Sequence, residues 1–336
     1  MQSMLQIIFP LSAFHFSPAN LFTFLIVPFP SSIIMGNHYS ASNDRKNVKR
    51  KKIHPPVDKS VNLINEQNHN SKYILPDFNE INRLQMQHYL FRHVFDGNYS
   101  APGVDEILKT GGKILDVGCG PGTWILELAS EYSRAEFYGV DIIPMYPSEI
   151  KPRNTTFIRA NILDGLPFEN CTFDYVHIGF LGTSFTEKEW KTIVMPEIIR
   201  VTKPNCWIEL YEADGLALNC GPCYSQIINC IQEELAKKDI DAKVATKFKD
   251  WLLLESNLEN IHEEIRKQPV GQFGGRLASL MEENNDCFFQ TIETSLIVNL
   301  GINSKEFEEM LQTIHDEYNK YETYINFHRI YARKFI

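Results

Sequence analysis

Residues 114–124 read Ile114-Leu-Asp-Val-Gly-Cys-Gly-Pro-Gly-Thr-Trp124, and this stretch decides the fold. It opens as an apolar run, Lys113–Val117, of the kind that a buried parallel strand requires. Three glycines then alternate with other residues, and an amphipathic helical pattern begins at Trp124. A strand, a tight glycine turn and a helix together predict a nucleotide-binding crevice at the carboxyl end of a sheet strand.

Two details of this region indicate which nucleotide it binds. A dinucleotide site has the spacing G-x-G-x-x-G, whereas this turn has the tighter spacing G-x-G-x-G. Asp116 stands two residues before the first glycine, where its carboxylate would repel a pyrophosphate and suit a cationic amino group. A second predicted strand, over residues 135–141, ends in Asp141, which can accept both hydroxyls of a ribose. These features describe S-adenosylmethionine (SAM), a sulfonium nucleoside with an amino-acid tail.

Six motifs in order resemble those of class I SAM-dependent methyltransferases: Asp116-Val-Gly-Cys-Gly-Pro-Gly122, Gly139-Val-Asp141, Ala160-Asn-Ile-Leu-Asp164, Leu166-Pro-Phe168, Phe173-Asp-Tyr-Val176 and Val201-Thr-Lys-Pro204. The resemblance runs from about Asn82 to Lys334 and is greatest to fungal methyltransferase domains of the small-molecule and regulatory type. It implies an α/β fold, a Rossmann-like three-layer α/β/α sandwich. Its seven-stranded sheet would be mostly parallel, with an antiparallel last strand.

The resemblance also implies a set of cofactor-binding residues, which are Asp116, Gly118, Cys119, Gly120, Gly122, Asp141, Ile142, Asn161, Ile162 and Ile178. Within this set, Asn161 takes the position that contacts the adenine amine. The end of the fourth strand, from Ile178 to Leu181, is where the family brings the transferable methyl group and the acceptor. No metal site is expected.

The catalytic residues stay open at this stage. A sulfonium donor is already activated, so the protein mainly positions donor and acceptor and excludes water. An oxygen or nitrogen acceptor can also need a general base. The candidates are His177, His88, Glu212 and Asp214, each of which can equally pack or cap. In the family's N-terminal helix, Gln87, His88 and Tyr89 could also contact the methionine end of the cofactor.

The domain organisation follows from these patterns. Residues 1–75 form an apolar leader and a basic disordered segment, and residues 76–336 form the methyltransferase domain. Within the domain we predict an N-terminal cap helix over 80–95, a SAM-binding core over 112–214, a helical acceptor lid over 215–260, and C-terminal strands and helices over 261–336. The last part includes a single helix over 276–300.

The leader carries no Asp, Glu, Lys or Arg before residue 44, and prolines interrupt its apolar run. It therefore suits neither a spanning helix nor a signal peptide with a basic start. If Met35 is the true start, Met35-Gly36 opens an N-myristoylation pattern, and a basic run over residues 45–52 would add weak membrane association. The alternative is a solvated tail with a chance match. A cytoplasmic location is expected.

Composition narrows the functions further. The formal net charge of −9 argues against nucleic-acid binding, since phosphate contacts require clustered Lys and Arg. Seven scattered cysteines fit a reducing compartment. The pair in Cys220-Gly-Pro-Cys223 resembles a thioredoxin motif, but it follows the fifth strand rather than the first, which disfavours redox chemistry.

Three functions remain. The favoured one is methyl transfer from SAM to an O, N or C acceptor on a small molecule or protein. The second is a SAM-binding regulatory module without turnover that acts through protein partners. The third, an NAD-type oxidoreductase, is disfavoured by Asp116 and by the glycine spacing. The acceptor and the oligomeric state are not encoded in any motif.

Overall fold

The computed structural model describes residues 78–335, which include a seven-stranded mixed sheet. Its strands are β1 (Lys113–Val117), β2 (Glu136–Asp141), β3 (Thr155–Arg159), β4 (Phe173–Gly179), β5 (Thr202–Leu218), β6 (Leu258–Pro269) and β7 (Tyr324–Lys334). The strand order is β3-β2-β1-β4-β5-β7-β6. Only β7 of these strands runs against the others, so the predicted α/β fold and the antiparallel last strand are confirmed.

Ten α-helices surround the sheet in the described part of the chain. They are α1 (Phe78–Val94), α2 (Val104–Thr110), α3 (Thr123–Glu131), α4 (Glu187–Glu189), α5 (Met195–Val201), α6 (Pro222–Ala236), α7 (Ala245–Leu254), α8 (Arg276–Thr291), α9 (Glu293–Leu300) and α10 (Ser304–Tyr321). A π-helical segment, Trp190–Val194, joins α4 to α5. Among residues 78–335, none of the helices has the length and apolarity to cross a membrane.

The sheet is sandwiched because both of its faces are apolar. Helices α2 and α3 pack their buried side chains against Ile114, Phe137 and Tyr175 on one face. Helices α5 and α7 pack against Leu115 and Val176 on the other face. Alternate residues of each strand point to opposite faces, so a parallel sheet covered on both sides requires the nearly continuous apolar runs seen in the sequence.

A further apolar cluster joins α1 to the C-terminal helices. Phe91 in α1 packs with Tyr211 and Phe327 of the sheet, together with buried residues of α6, α8, α9 and α10. Asn284 in α8 donates a hydrogen bond to the Arg83 carbonyl at 3.1 Å. Helix α1 is therefore held in place by the C-terminal helices α8, α9 and α10.

The connection between α1 and α2 is held to the sheet by a buried ion pair. Glu209 is 0% and Arg329 2% exposed, and their Oε1 and Nε atoms lie 3.3 Å apart. Glu209 accepts the backbone amides of Ser100 and Ala101 at 2.8–3.0 Å. Arg329 donates to the Ser100 hydroxyl and to the Gly97 carbonyl, each at 3.0 Å. These bonds fix the position of the connection between α1 and α2 against the sheet.

One helical prediction needs correction. The single helix over 276–300 is wrong, because Ile292 (φ −105°, ψ 11°) leaves helical geometry and separates α8 from α9. Just before it, Thr291 bonds its hydroxyl to the Cys287 carbonyl four residues back, an interaction that often bends helices. The predicted lid over 215–260 holds two helices with different neighbours, since α6 joins the cluster around Phe91 whereas α7 packs on Trp190.

Several sequence predictions concern residues outside the described range. These are the leader and basic segment over residues 1–75, the alternative start at Met35-Gly36, and the basic run over residues 45–52.

Candidate functional site

The glycine turn after β1 is built from left-handed backbone that glycine alone adopts readily. Gly118, Gly120 and Gly122 have φ values of 71°, 53° and 76°. A Cβ on Gly118 would lie 2.4 Å from the Leu181 side chain, and one on Gly122 would lie 2.7 Å from the Phe157 ring. The side chains of Leu181 and Phe157 thus pack directly against the turn, and any residue larger than glycine at Gly118 or Gly122 would displace them.

Asp141 ties this turn to the end of β2. Its two carboxylate oxygens accept the amides of Gly120 and Ile143, each at 2.8 Å. Burial raises the pKa of Asp141, although the amide bonds act in the opposite direction. Each carboxylate oxygen retains a second lone pair. The carboxylate can therefore hold the turn and still accept hydrogen bonds from a ligand.

Asp116 lies in β1, two residues before Gly118, and is 4% exposed. Its Oδ1 lies 2.7 Å from Nδ1 of His177, which is the register partner of Asp116 on β4. The His177 ring is stacked on Trp124, with centroids 4.2 Å apart and planes 2° apart. Its Nε2 is buried and has no hydrogen-bond partner among the described residues. The imidazole is therefore held in one orientation, with Nδ1 toward the carboxylate.

The remaining predicted cofactor residues stand at the same edge of the sheet. Ile178 lies at the end of β4 beside Val117. Ile142 directly follows β2, and its carbonyl accepts from Arg159 at 3.1 Å. Asn161 follows β3 and uses its side-chain oxygen to accept the Leu163 amide at 3.1 Å, which caps a 3-10 turn.

Ile162 is buried in that turn. The topology thus places all ten predicted residues along the carboxyl ends of β1 to β4.

Cys119 belongs to the turn through its backbone. Its amide donates to the Val140 carbonyl at 3.1 Å, and its carbonyl accepts the Gly122 amide at 2.8 Å. Burial, with the charges of Asp116 and Asp141, raises the pKa of the Cys119 thiol well above its usual value. The side chain is thus a protonated thiol, which is a poor nucleophile.

The four candidate bases stand in different surroundings. His88 lies 2.6 Å from Glu127 and is buried. Asp214 is also buried and accepts from the Leu216 amide and from Asn326. His177 is engaged with Asp116. Glu212 is partly exposed and lies within β5, opposite His328 of β7.

Burial raises the pKa of Glu212 to about 7. The bonds that its two oxygens accept from the amides of Gly182 and Ala213, at 2.6 and 3.0 Å, oppose this rise. Among the four candidates, Glu212 is the one that combines partial exposure with a pKa suited to proton exchange near neutral pH.

The other motifs have structural partners. Tyr89 is 54% exposed at the surface of α1 and Gln87 is half-buried. Both cysteines of the Cys220–Cys223 pair are free. Glu317 accepts hydrogen bonds from the amides of Cys223 and Tyr224. Burial and the charge of Glu317 raise the pKa of the Cys223 thiol, whereas a reactive thiol needs a lowered pKa. Residues 78–335 contain no group of three His, Cys, Asp or Glu residues placed to hold a metal.

Sequence reasoning missed two contacts of this site. Leu181 packs on Gly118, and Leu84 of α1 is the side chain nearest to Gly120, 3.8 Å from where its Cβ would be. No motif marks either leucine, because an apolar side chain over a glycine depends on tertiary packing. The one sequence signal for the Leu84 contact was the predicted cap helix over 80–95, which contains Leu84 and which the structure places next to the turn.

The comparisons agree with this geometry. Residues 114–205 match the methyltransferase domain family. The "Secondary metabolism regulator laeA" of Coprinopsis cinerea is 26% identical over 59% of this chain and 53% of its own length. "N-methyltransferase tcpN" of Claviceps purpurea is 27% identical over 57% of this chain and 70% of its own. "N-methyltransferase verN" of Clonostachys rogersoniana is 35% identical over 40% of this chain and 47% of its own.

Residues 114–205 therefore match a methyltransferase domain, in agreement with the resemblance that the sequence motifs show. The match spans about half the length of the first of these relatives.

Proposed function

We propose that this protein is an enzyme that moves the methyl group of SAM to an O, N or C acceptor on a small molecule or protein. The observation that carries the proposal is the glycine turn, whose Gly120 amide is held by Asp141 and which follows the His177-paired carboxylate of Asp116 in the chain. A tight glycine turn with two acids close to it suits a cationic nucleoside better than a diphosphate.

The cofactor would be held by the predicted set: Asp116, Gly118, Cys119, Gly120, Gly122, Asp141, Ile142, Asn161, Ile162 and Ile178. SAM supplies a sulfonium-activated methyl group when bound. Asp116, oriented by His177, would hold the cationic amino group. Asp141 would accept the ribose hydroxyls with the lone pairs that Gly120 and Ile143 leave free.

The protein's own residues would then exclude water and accept a proton. Leu84 of α1 and Leu181 cover the turn from two directions, which supports a dry crevice. Glu212 would accept the proton that an oxygen or nitrogen acceptor loses. Two relatives carry names of N-methyltransferases, which supports a nitrogen acceptor.

The alternative is a SAM-binding regulatory module, and its support is the name of one relative. We place the protein in the cytoplasm, with weak membrane association if Met35-Gly36 is the mature N-terminus and is myristoylated.

A turnover assay separates the two functions. The full chain would be incubated with methyl-labelled SAM and extracts of metabolites and of proteins, with mass-spectrometric detection of methylated products. If the protein is an enzyme, we expect methylated products that are absent with the Asp141→Ala variant. Binding of SAM with no product in any extract would favour the regulatory module.

A further inference from the structure

Phe180 holds an unfavourable backbone conformation directly after β4. Its φ is 55°, a region that is a true outlier for a bulky side chain. Such residues persist only where their surroundings hold them, and they cluster at active sites and ligand contacts. Here the Phe180 amide donates to the Tyr211 carbonyl of β5 at 3.1 Å. The strain is therefore fixed by the neighbouring strand.

The Phe180 ring is held by other aromatic rings. Its centroid lies 4.2 Å from that of Phe91 and 4.9 Å from that of Tyr211, both edge to face. Phe327 lies 4.4 Å from Phe91 and completes the cluster. Phe91, Tyr211 and Phe327 are buried, whereas Phe180 is only partly buried. Two buried rings, Phe91 and Tyr211, thus orient the Phe180 ring, which keeps free surface.

This ring lies next to the glycine turn. The following residue, Leu181, is the one that packs on Gly118, and α1 carries both Phe91 and the Leu84 side chain nearest to Gly120. The free surface of Phe180 therefore belongs to the end of β4 that borders the cofactor residues. A position there suits contact with the molecule that receives the methyl group.

Charged groups also lie close to the ring cluster. The Arg329 guanidinium lies 5.6 Å from the Tyr211 ring centroid and is paired with Glu209. Glu212 accepts the amide of Gly182, two residues after Phe180, at 2.6 Å. A ligand ring on Phe180 would gain apolar burial and edge-to-face or offset-stacked contact.

We propose that Phe180 is the contact surface for an aromatic group of the methyl acceptor. The proposal rests on the proposed function and names a substrate class for the same site. The strained backbone turns the Phe180 ring out of the line of β4 and onto the rings of Phe91 and Tyr211. Leucine at this position would keep apolar bulk and the same backbone strain but would lose the π face, whereas tyrosine would keep it.

Binding of phenol and cyclohexanol tests this proposal, because the two probes have similar shape and differ in aromaticity. Each is titrated by saturation-transfer NMR into the full chain, with and without saturating S-adenosylhomocysteine. We expect phenol to bind about twofold to tenfold more tightly than cyclohexanol. Phe180→Tyr should keep this preference and Phe180→Leu should lose it. Phe273→Leu, which changes a partly buried ring that packs on Tyr324 instead, should keep it.

Equal binding of the two probes to the natural chain would overturn the proposal, as would a preference that survives in Phe180→Leu. Absence of S-adenosylhomocysteine binding would instead count against the proposed function. The titrations without S-adenosylhomocysteine would then still decide whether Phe180 forms an aromatic contact.

Discussion

Nδ1 of His177 lies 2.7 Å from Oδ1 of Asp116, and the two residues are register partners on adjacent parallel strands. Both are nearly fully buried, and Trp124 covers the imidazole with a parallel ring. The acid that the sequence assigns to the cofactor is thus already bonded by a protein donor. His177 is a positioning residue for that acid.

Replacing His177 by Phe should destabilise the protein by about 1–3 kcal/mol, because a buried carboxylate would lose its donor while the stacking on Trp124 remains possible. Asp116→Asn in the same background should recover part of the loss, with a coupling of about 0.5–3 kcal/mol. Urea unfolding of the single and double variants measures both values. Additive effects would show that the pair does not act as a unit.

Gly120→Val should abolish SAM binding while the fold survives. The left-handed backbone costs a β-carbon residue about 1–2 kcal/mol, and the added side chain would enter the space beside Leu84. Gly301→Val is the matched control, since Gly301 has φ 66° and nothing within 4 Å of the added Cβ. Calorimetry with SAM and thermal melts compare the two. Normal SAM affinity in Gly120→Val would remove the turn from the site.

Asp141→Ala should weaken SAM binding at least tenfold and also lower stability, because two backbone amides of the turn lose a charged acceptor worth about 1.5–3 kcal/mol each. Asp241→Ala serves as a control, since that carboxylate accepts one amide in an exposed loop after α6. The measurements are SAM affinity and the melting temperature. A variant that melts earlier but binds SAM normally would make Asp141 a structural residue only.

Glu212 should make stability depend on pH. Its pKa is raised to about 7 in the folded protein from an ordinary value near 4.5, so the folded state binds the proton more tightly than the unfolded state. The contribution of Glu212 to stability is therefore fully present below about pH 4.5 and is lost as pH rises to about 7. Glu212→Gln cannot ionise and should lack this decline. Parallel melting curves for both proteins across this range would contradict the assignment.

Arg329→Met should cost about 3–5 kcal/mol, since it leaves Glu209 as an unpaired buried charge. Arg333→Met is the control, because Arg333 and its partner Glu259 form an ion pair in which both side chains are about one-third exposed. This substitution should cost about 0–1 kcal/mol. Guanidinium unfolding gives both numbers. Equal costs would mean that the buried pair does not hold the connection between α1 and α2.

The sequence predicted the parts of the fold that depend on local pattern. The apolar run before Gly118, the acid that ends β2 and the alternation of β7 were enough to predict these strands, because buried strands and glycine turns have strong local signatures. The direction of the last strand was implied by the family resemblance. The break at Ile292 was missed, since both flanking segments are helical and the break depends on one residue's backbone.

The site was predicted less completely for a related reason. A motif identifies Asp116 and Asp141, but their partners come from other strands and helices. The pairing of His177 with Asp116 follows from the β1–β4 register, which no single-strand pattern contains. The contact of Leu181 with Gly118 likewise arises from packing.

Calorimetric titration of the full chain with SAM and with NAD, under the same conditions, decides which kind of nucleotide the glycine turn binds. We expect saturable heat with SAM and none with NAD, because a buried acid directly before a tight glycine turn favours a cationic nucleoside. Saturation with NAD and no heat with SAM or S-adenosylhomocysteine would contradict it.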